Sequence, residues 1–269
     1  PDDLSAIKLK FPNIHVFRNK KNEGFIGSIN VALSLIKTEF VILLNNDTEV
    51  TENWLKPLLS TFENNPNAGI VGSKLVYPDG SLQESGGILW QDGSGWNYGR
   101  NDDSEKPEYN YLRETDYVSG AALMITKQLF QTLGGFDLLY TPAYYEDTDL
   151  CFKARAAGHL VFVQPASTVI HHEGKSNGTN LESGLKKFQV QNQQKFKARW
   201  AKELTNCHFP NGENLFHARG RTRDKKVVVV IDHYVPHFDQ DAGSRSTWQY
   251  IRLFIKMGYS VKFIGDNFY

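Results

Sequence analysis

Phe40-Val41-Ile42-Leu43-Leu44-Asn45-Asn46-Asp47-Thr48 is the stretch on which the fold turns: five apolar residues run straight into a polar cluster that ends in a carboxylate. A short, continuous apolar run rich in β-branched residues predicts a strand buried on both faces, the kind found in parallel sheets. In open α/β sheets ligands gather outside the carboxyl ends of the strands, where Asn45, Asn46 and Asp47 would project. The same polar residues also suit a plain turn followed by a helix cap, and the stretch alone does not separate the two.

Toward the N-terminus, Ile14-His15-Val16-Phe17 is expected as a strand and Arg18 to Gly24 as a polar turn. Ile26, Ile29, Ala32, Leu33 and Ile36 recur near helical spacing and predict a helix over 26–37. Strand, turn, helix and strand make half of a doubly wound α/β domain. Asn22, Gly24 and Asn30 bracket the helix start, where backbone N–H groups either meet an anion such as a diphosphate or are simply capped.

Toward the C-terminus, Thr51 is expected to cap a helix that runs to about Asn64, and Gly69 to Tyr77 to form a strand closed by a turn at Pro78-Asp79-Gly80-Ser81. Residues 84–115 are rich in Gly, aromatics and charge with little periodicity, and are expected as a lid or an acceptor-side insertion. Asp116 to Ile125 reads as a strand interrupted by small residues, where a ligand or backbone approaches closely. Tyr144 to Gly158 predicts a helix with Glu146, Asp147 and Asp149 in its first turn. Acidic residues there complement the helix dipole. Three exceed what capping requires, and their repulsion would raise one pKa toward that of a base. A strand at 159–163 leads to His171-His172-Glu173-Gly174-Lys175-Ser176; strand alternation lets only one of the two histidines face a given site. A helix over about 181–204 follows, with Leu185, Phe188, Phe196 and Trp200 toward a core.

Composition limits what such a site can serve. The 269 residues, 40% of them hydrophobic, suffice for one large domain or two smaller ones. Thirty basic residues balance thirty acidic ones, so nothing in the bulk charge argues for nucleic acid or an anionic membrane as the partner, and no nucleic acid is expected. Cys151 and Cys207, widely spaced, fit neither a disulfide scaffold nor a thiolate zinc site. No apolar run reaches spanning length. Pro1-Asp2-Asp3-Leu4 carries no initiator Met, from which a chain cut from something longer is expected.

In this order, Asn22-Glu23-Gly24-Phe25 with Asn30, Leu44-Asn45-Asn46-Asp47, Ser119-Gly120-Ala121, Gly134-Gly135-Phe136-Asp137, Tyr145 to Leu150 and His171 to Ser176 strongly resemble the inverting family 2 glycosyltransferases of GT-A fold. The resemblance covers about residues 1 to 200. It implies an enzyme that moves a sugar from a nucleotide-diphosphate donor, a UDP- or dTDP-sugar, to a hydroxyl of a glycan or lipid-linked saccharide. Asp47 matches the last acid of the family's Asp-x-Asp metal motif and His171 its later metal-binding histidine, with His172 the fallback; Mn2+ or Mg2+ is the implied cofactor. Asp147 matches the catalytic base. Asn22, Gly24, Asn30, Asn45 and Asn46 fall on the donor side, and Ser119, Gly120, Glu146 and Asp149 around the acceptor.

Two departures from the family pattern stand out. Asn45 replaces the first acid of Asp-x-Asp; an amide hydrogen-bonds sugar or ribose but binds metal weakly. Asn-Asn-Asp is similar to rhamnosyltransferase-like members, which implies a deoxysugar donor and bacterial surface polysaccharide synthesis, in the cytoplasm with peripheral association at the inner membrane face. The chain also begins about where the family's first β-α-β unit would end, so a GT-A domain of residues 1–205 lacking that unit is expected. Residues 206–224, with Pro210, Gly212, Gly220 and a basic cluster from Arg219 to Lys226, read as a linker. Residues 225–269 resemble the opening β-α-β of a GT-B glycosyltransferase domain, a Rossmann-like start. The alternatives are a non-catalytic carbohydrate- or nucleotide-sugar-binding remnant and a metal-dependent phosphohydrolase. The latter needs several convergent metal carboxylates, and this pattern offers one firm acid and one histidine.

Overall fold

The structure, a computed structural model, describes residues 9–172 and 187–266. Glu173 to Ser176, and the beginning of the helix expected from 181, lie outside the described residues. The first helix, α1 (Gly24–Leu33), leads into β1 (Phe40–Leu44) and a short β2 (Thr48–Val50). After α2 (Leu55–Asn64) come β3 (Ala68–Val76), β4 (Leu82–Glu84), the hairpin β5 (Gly87–Leu89) and β6 (Gly95–Asn97), and β7 (Arg113–Glu114). Then follow β8 (Ala122–Thr126), α3 (Lys127–Thr132), α4 (Glu146–Ala156) and the long β9 (Leu160–His171).

A seven-stranded mixed sheet runs in the order β1-β8-β3-β9-β2, with β4 on β3 and β7 on β9. This open α/β sheet is the GT-A architecture that the sequence implies. β1 has both faces covered as expected: Val41 and Leu43 enter the main core with Ile70 and Phe130, while Phe40 and Ile42 pack with Leu58 under α2. Its pairing differs from the expectation. β1 runs antiparallel to β8, and the parallel pair is β3 with β9. An apolar run reports two-sided burial, not strand direction.

Three local expectations fail for identifiable reasons. Ile14 to Phe17 forms no strand; among the described residues it has no ladder partner, and Phe17 stays 64% exposed. Thr51 does not cap α2, because its hydroxyl donates to the Thr168 carbonyl at 2.7 Å and so pins β2 to β9. Residues 84–115 are not a loose lid. Leu82, Ile88, Trp90, Tyr98 and Tyr109 build a second buried cluster, a packing that long-range contacts create without any local periodicity.

Beyond β9, α5 (Lys187–Arg199) and α6 (Ala201–Cys207) bring Phe196 onto Phe152 of α4, ring centroids 4.8 Å apart. The stretch 206–224 carries the short helix α7 (Leu215–Ala218) and is fastened to the first domain. The Arg113 Nε–H donates to the Arg219 carbonyl at 2.9 Å, Arg221 pairs with Glu114 at 3.4 Å, and His208 is 2% exposed. Pro and Gly in it shape turns against a surface instead of a free tether. Parallel strands β10 (Val227–Asp232) and β11 (Ser260–Gly265), joined by α8 (Ala242–Lys256), close the described chain as the expected β-α-β unit.

Candidate active site

The residues that drew attention in the sequence meet at one end of the sheet in a closed ring of contacts. Where β1 ends, the Asn45 N–H donates to the Ala121 carbonyl at 2.9 Å. Two residues on, Asp47 Oδ1 lies 3.3 Å from His171 Nε2, because β2 pairs with β9 in a register that sets Thr48 opposite His171. The other ring nitrogen, Nδ1, lies 2.9 Å from Gln83 Oε1. Next to Gln83, Glu84 accepts the Ser119 N–H at 3.2 Å. The neighbouring Gly120 N–H donates to Asp147 Oδ2 at 3.0 Å, and Gly120 leads back to Ala121. Phe25, at the start of α1, lies close to Gly120.

Strand alternation separates the two histidines. His172 Nε2 turns to Glu49 Oε1 at 2.7 Å on the exposed side of β2, so of the two side chains it is that of His171 that reaches the Asp47 carboxylate, while the His172 backbone N–H donates to the Asp47 carbonyl at 2.9 Å. Among the described residues no three His, Cys, Asp or Glu side chains converge as a metal cage. Asp47 and His171 nevertheless fit a divalent ion. They would offer it one carboxylate oxygen and one imidazole nitrogen, which lie 3.3 Å apart.

At the other side of the ring, α4 begins after a strained turn. Tyr144 and Tyr145 both take φ of 73°, which for a residue with a Cβ costs on the order of 1–3 kcal/mol. The buried Asn192 holds that turn by donating to the carbonyls of Tyr140 at 2.7 Å and Ala143 at 2.8 Å, and the Tyr145 hydroxyl donates to Gly93 O at 2.9 Å. The turn delivers two adjacent buried carboxyls with different surroundings. Burial raises the pKa of Asp147, while N–H donation from Gly120 and from Thr148, the latter at 2.6 Å, favours its ionised form. Burial and then the Asp147 charge raise Glu146, whose Oε2 is buried with no hydrogen-bond partner among the described residues. Of the two, Asp147 is the carboxyl whose ionised form is held by N–H donation, from Gly120 on Oδ2 and Thr148 on Oδ1, which orients it as a proton acceptor.

Other expected site residues divide. Ser119 and Gly120 belong to the ring, and Asn45 joins it through its backbone. Asn46 sits exposed in the turn between β1 and β2. Asn22 accepts the Gly24 N–H at 2.9 Å, the capping alternative, and Gly24 makes its turn at φ 66°. Asn30 is corrected from donor contact to structural staple: its amide donates to Phe136 O at 2.8 Å and accepts the Phe136 N–H at 2.9 Å. Asp149 is corrected likewise. It is fully buried on the opposite side of α4 from Asp147, bonded to Trp200 Nε1 at 2.7 Å and the Tyr140 hydroxyl at 3.1 Å. One helical turn spreads its acids around the axis, so an acidic first turn does not place them all in one site. Gln83, Glu84 and Asn192 escaped the sequence reading, since their partners are far along the chain.

Residues 1–133 match the family model described as Glycosyl transferase family 2. The chain is 30% identical over 155 residues to the O-antigen biosynthesis protein RfbC of Myxococcus xanthus, covering 55% of this chain and 12% of that one. It is 25% identical over 202 residues to the N-acetylglucosaminyl-diphospho-decaprenol L-rhamnosyltransferase of Mycobacterium tuberculosis, covering 65% of this chain and 64% of that protein. The chain thus spans less than two thirds of either curated relative. The crystal structure of GalNAc-T7 with UDP, GalNAc and Mn2+ superposes with a TM-score of 0.58 at 18% identity, over 75% of this chain and 40% of that one, a likeness of fold.

Proposed function

We propose that this domain is the catalytic part of a metal-dependent inverting glycosyltransferase that moves a sugar, a deoxyhexose such as rhamnose, from a UDP- or dTDP-linked donor to a hydroxyl of a glycan or lipid-linked saccharide. The observation that carries this reading is the ring joining Asp147, through Gly120, Glu84 and Gln83, to the His171–Asp47 pair. Asp147 takes the acceptor hydroxyl's proton as that oxygen attacks the anomeric carbon; one in-line displacement inverts the centre and needs no covalent enzyme intermediate. Held by Asp47 and His171, Mn2+ or Mg2+ would neutralise the charge that develops on the diphosphate leaving group. Glu146 and the Ser119-Gly120 backbone border the acceptor side, and Asn22, Gly24, Asn45 and Asn46 the donor side. The named activities of the relatives support a setting in surface polysaccharide synthesis. Among the described residues no helix is long and apolar enough to cross a membrane.

The test is titration of UDP- and dTDP-sugars with and without Mn2+, followed by transfer to lipid-linked or soluble saccharide acceptors. Metal-dependent donor binding that Asp47→Ala removes supports the assignment. Carbohydrate binding that is indifferent to metal and unaffected by Asp47→Ala would turn the reading to a non-catalytic binding module.

A further inference from the structure

His171 stands between two acceptors. Nε2 faces a carboxylate oxygen of Asp47 at 3.3 Å, and Nδ1 faces the amide oxygen of Gln83 at 2.9 Å. A neutral imidazole has one N–H, so it satisfies one of these contacts; the other pairs an imidazole lone pair with an oxygen lone pair unless a cation lies between. The shorter contact is the one to Gln83. Gln83 is also the more firmly held partner: it is 2% exposed, in the middle of the fully buried β4. Leu82 beside it is fixed in the second core, its N–H donating to Asp102 O at 2.8 Å, and Glu84 on its other side is fixed to Ser119.

We propose that Gln83 is a positioning residue: by accepting the Nδ1–H of His171 it selects the tautomer whose Nε2 lone pair points at Asp47, and so prepares the nitrogen half of a divalent-cation site. This rests on the metal-dependent reading given above. It adds a group that no spacing motif could reveal, because Gln83 and His171 are 88 residues apart. Removing such a partner leaves the ring free to rotate or to adopt the other tautomer, and outer partners of metal-bound histidines are worth roughly 10–100-fold in metal affinity.

The experiment measures Mn2+ affinity calorimetrically in the presence of UDP, alongside pulsed electron paramagnetic resonance of imidazole nitrogen coupling to bound Mn2+. It compares the parent with Gln83→Met, Gln83→Glu and His171→Ala. Gln83→Met keeps the volume without the acceptor and is expected to weaken Mn2+ about 10–100-fold with a reduced or altered nitrogen coupling. Gln83→Glu restores a stronger acceptor and is expected to bind Mn2+ at least as tightly as the parent. Nitrogen coupling in the parent, lost in His171→Ala but unchanged in Gln83→Met at equal affinity, would overturn the positioning role and leave the metal reading intact. Absence of coupling in the parent would overturn both. Should Gln83→Met fail to fold, Gln83→Glu decides alone: weaker binding or lost coupling there contradicts the proposal, and equal or tighter binding with coupling retained supports it.

Discussion

The Gly120 N–H donates to Asp147 Oδ2 at 3.0 Å, tying the small-residue approach to β8 to the first turn of α4. One carboxylate oxygen is thus engaged here and the other with Thr148, so the group is oriented before any acceptor arrives. Asp147→Asn keeps the shape and loses the proton acceptor. Transfer should fall at least 10²–10⁴-fold, with Mn2+-dependent donor binding within about twofold of the parent. Single-turnover transfer and donor titration on the same preparation separate the two effects, and near-parental turnover would remove Asp147 from the base role.

Glu146 offers a pH-dependent prediction. Burial and the Asp147 charge raise its pKa to about 8 in the folded state, above an ordinary carboxyl. The unfolded chain therefore loses this proton first as pH rises, and the folded state is progressively penalised between the two pKa values. Glu146→Gln should stabilise the protein by on the order of 1–3 kcal/mol near pH 8 and change little near pH 4, where both states hold the proton. Denaturant unfolding at the two pH values reads the difference directly. A stabilisation equal at both would mean that Glu146 ionises in the fold as it does in the unfolded chain.

Much of this arrangement was legible in the sequence because it is written locally. The run Phe40–Leu44 with its polar end and the acid-rich start of α4 each declare themselves within about fifteen residues, and the β10-α8-β11 unit shows as three successive local patterns across 227–265. What was not legible depends on distant partners. Strand direction around β1, the loss of Thr51 to the Thr168 carbonyl and the packing of 84–115 all follow from pairings that no window contains. The carboxylates show the same limit at the site itself: composition flagged Glu146, Asp147 and Asp149 together, yet packing against Trp200 and Tyr140 turns Asp149 away.

That separation can be measured. Asp149 accepts from Trp200 and Tyr140 and lies 3.4 Å from Arg199 Nε, with no solvent exposure. Asp149→Ala strands those donors and should cost about 2–4 kcal/mol of stability. The acceptor KM of the folded fraction should stay within about twofold of the parent. A selective rise in acceptor KM without loss of stability would return Asp149 to the acceptor site.

The stretch 206–224 makes the sharpest prediction about architecture, through Arg221 and Asp116. Asp116 is 3% exposed; it accepts the Leu89 N–H at 2.9 Å and is paired with the Arg221 guanidinium. Burial alone would raise its pKa, but the charges of His208, Arg221 and Arg155 outweigh burial and hold it below the ordinary carboxylate range. A depressed folded-state pKa gives stability that is present above the unfolded value near 3.9 and is lost as pH falls through the folded one. Arg221→Ala removes the direct counter-charge and leaves a buried carboxylate undercompensated, which costs about 3–5 kcal/mol at pH 7. The same variant should cost much less near pH 3.5, where Asp116 in the variant is protonated in the folded state as well as largely so in the unfolded one. Guanidinium unfolding at both pH values, with limited proteolysis across 206–224, follows the loss. An equal cost at the two pH values would show that Arg221 acts through packing alone, and unchanged proteolysis would show that 206–224 is held to residues 87–116 by its other contacts, those of His208, Phe209 and Arg219.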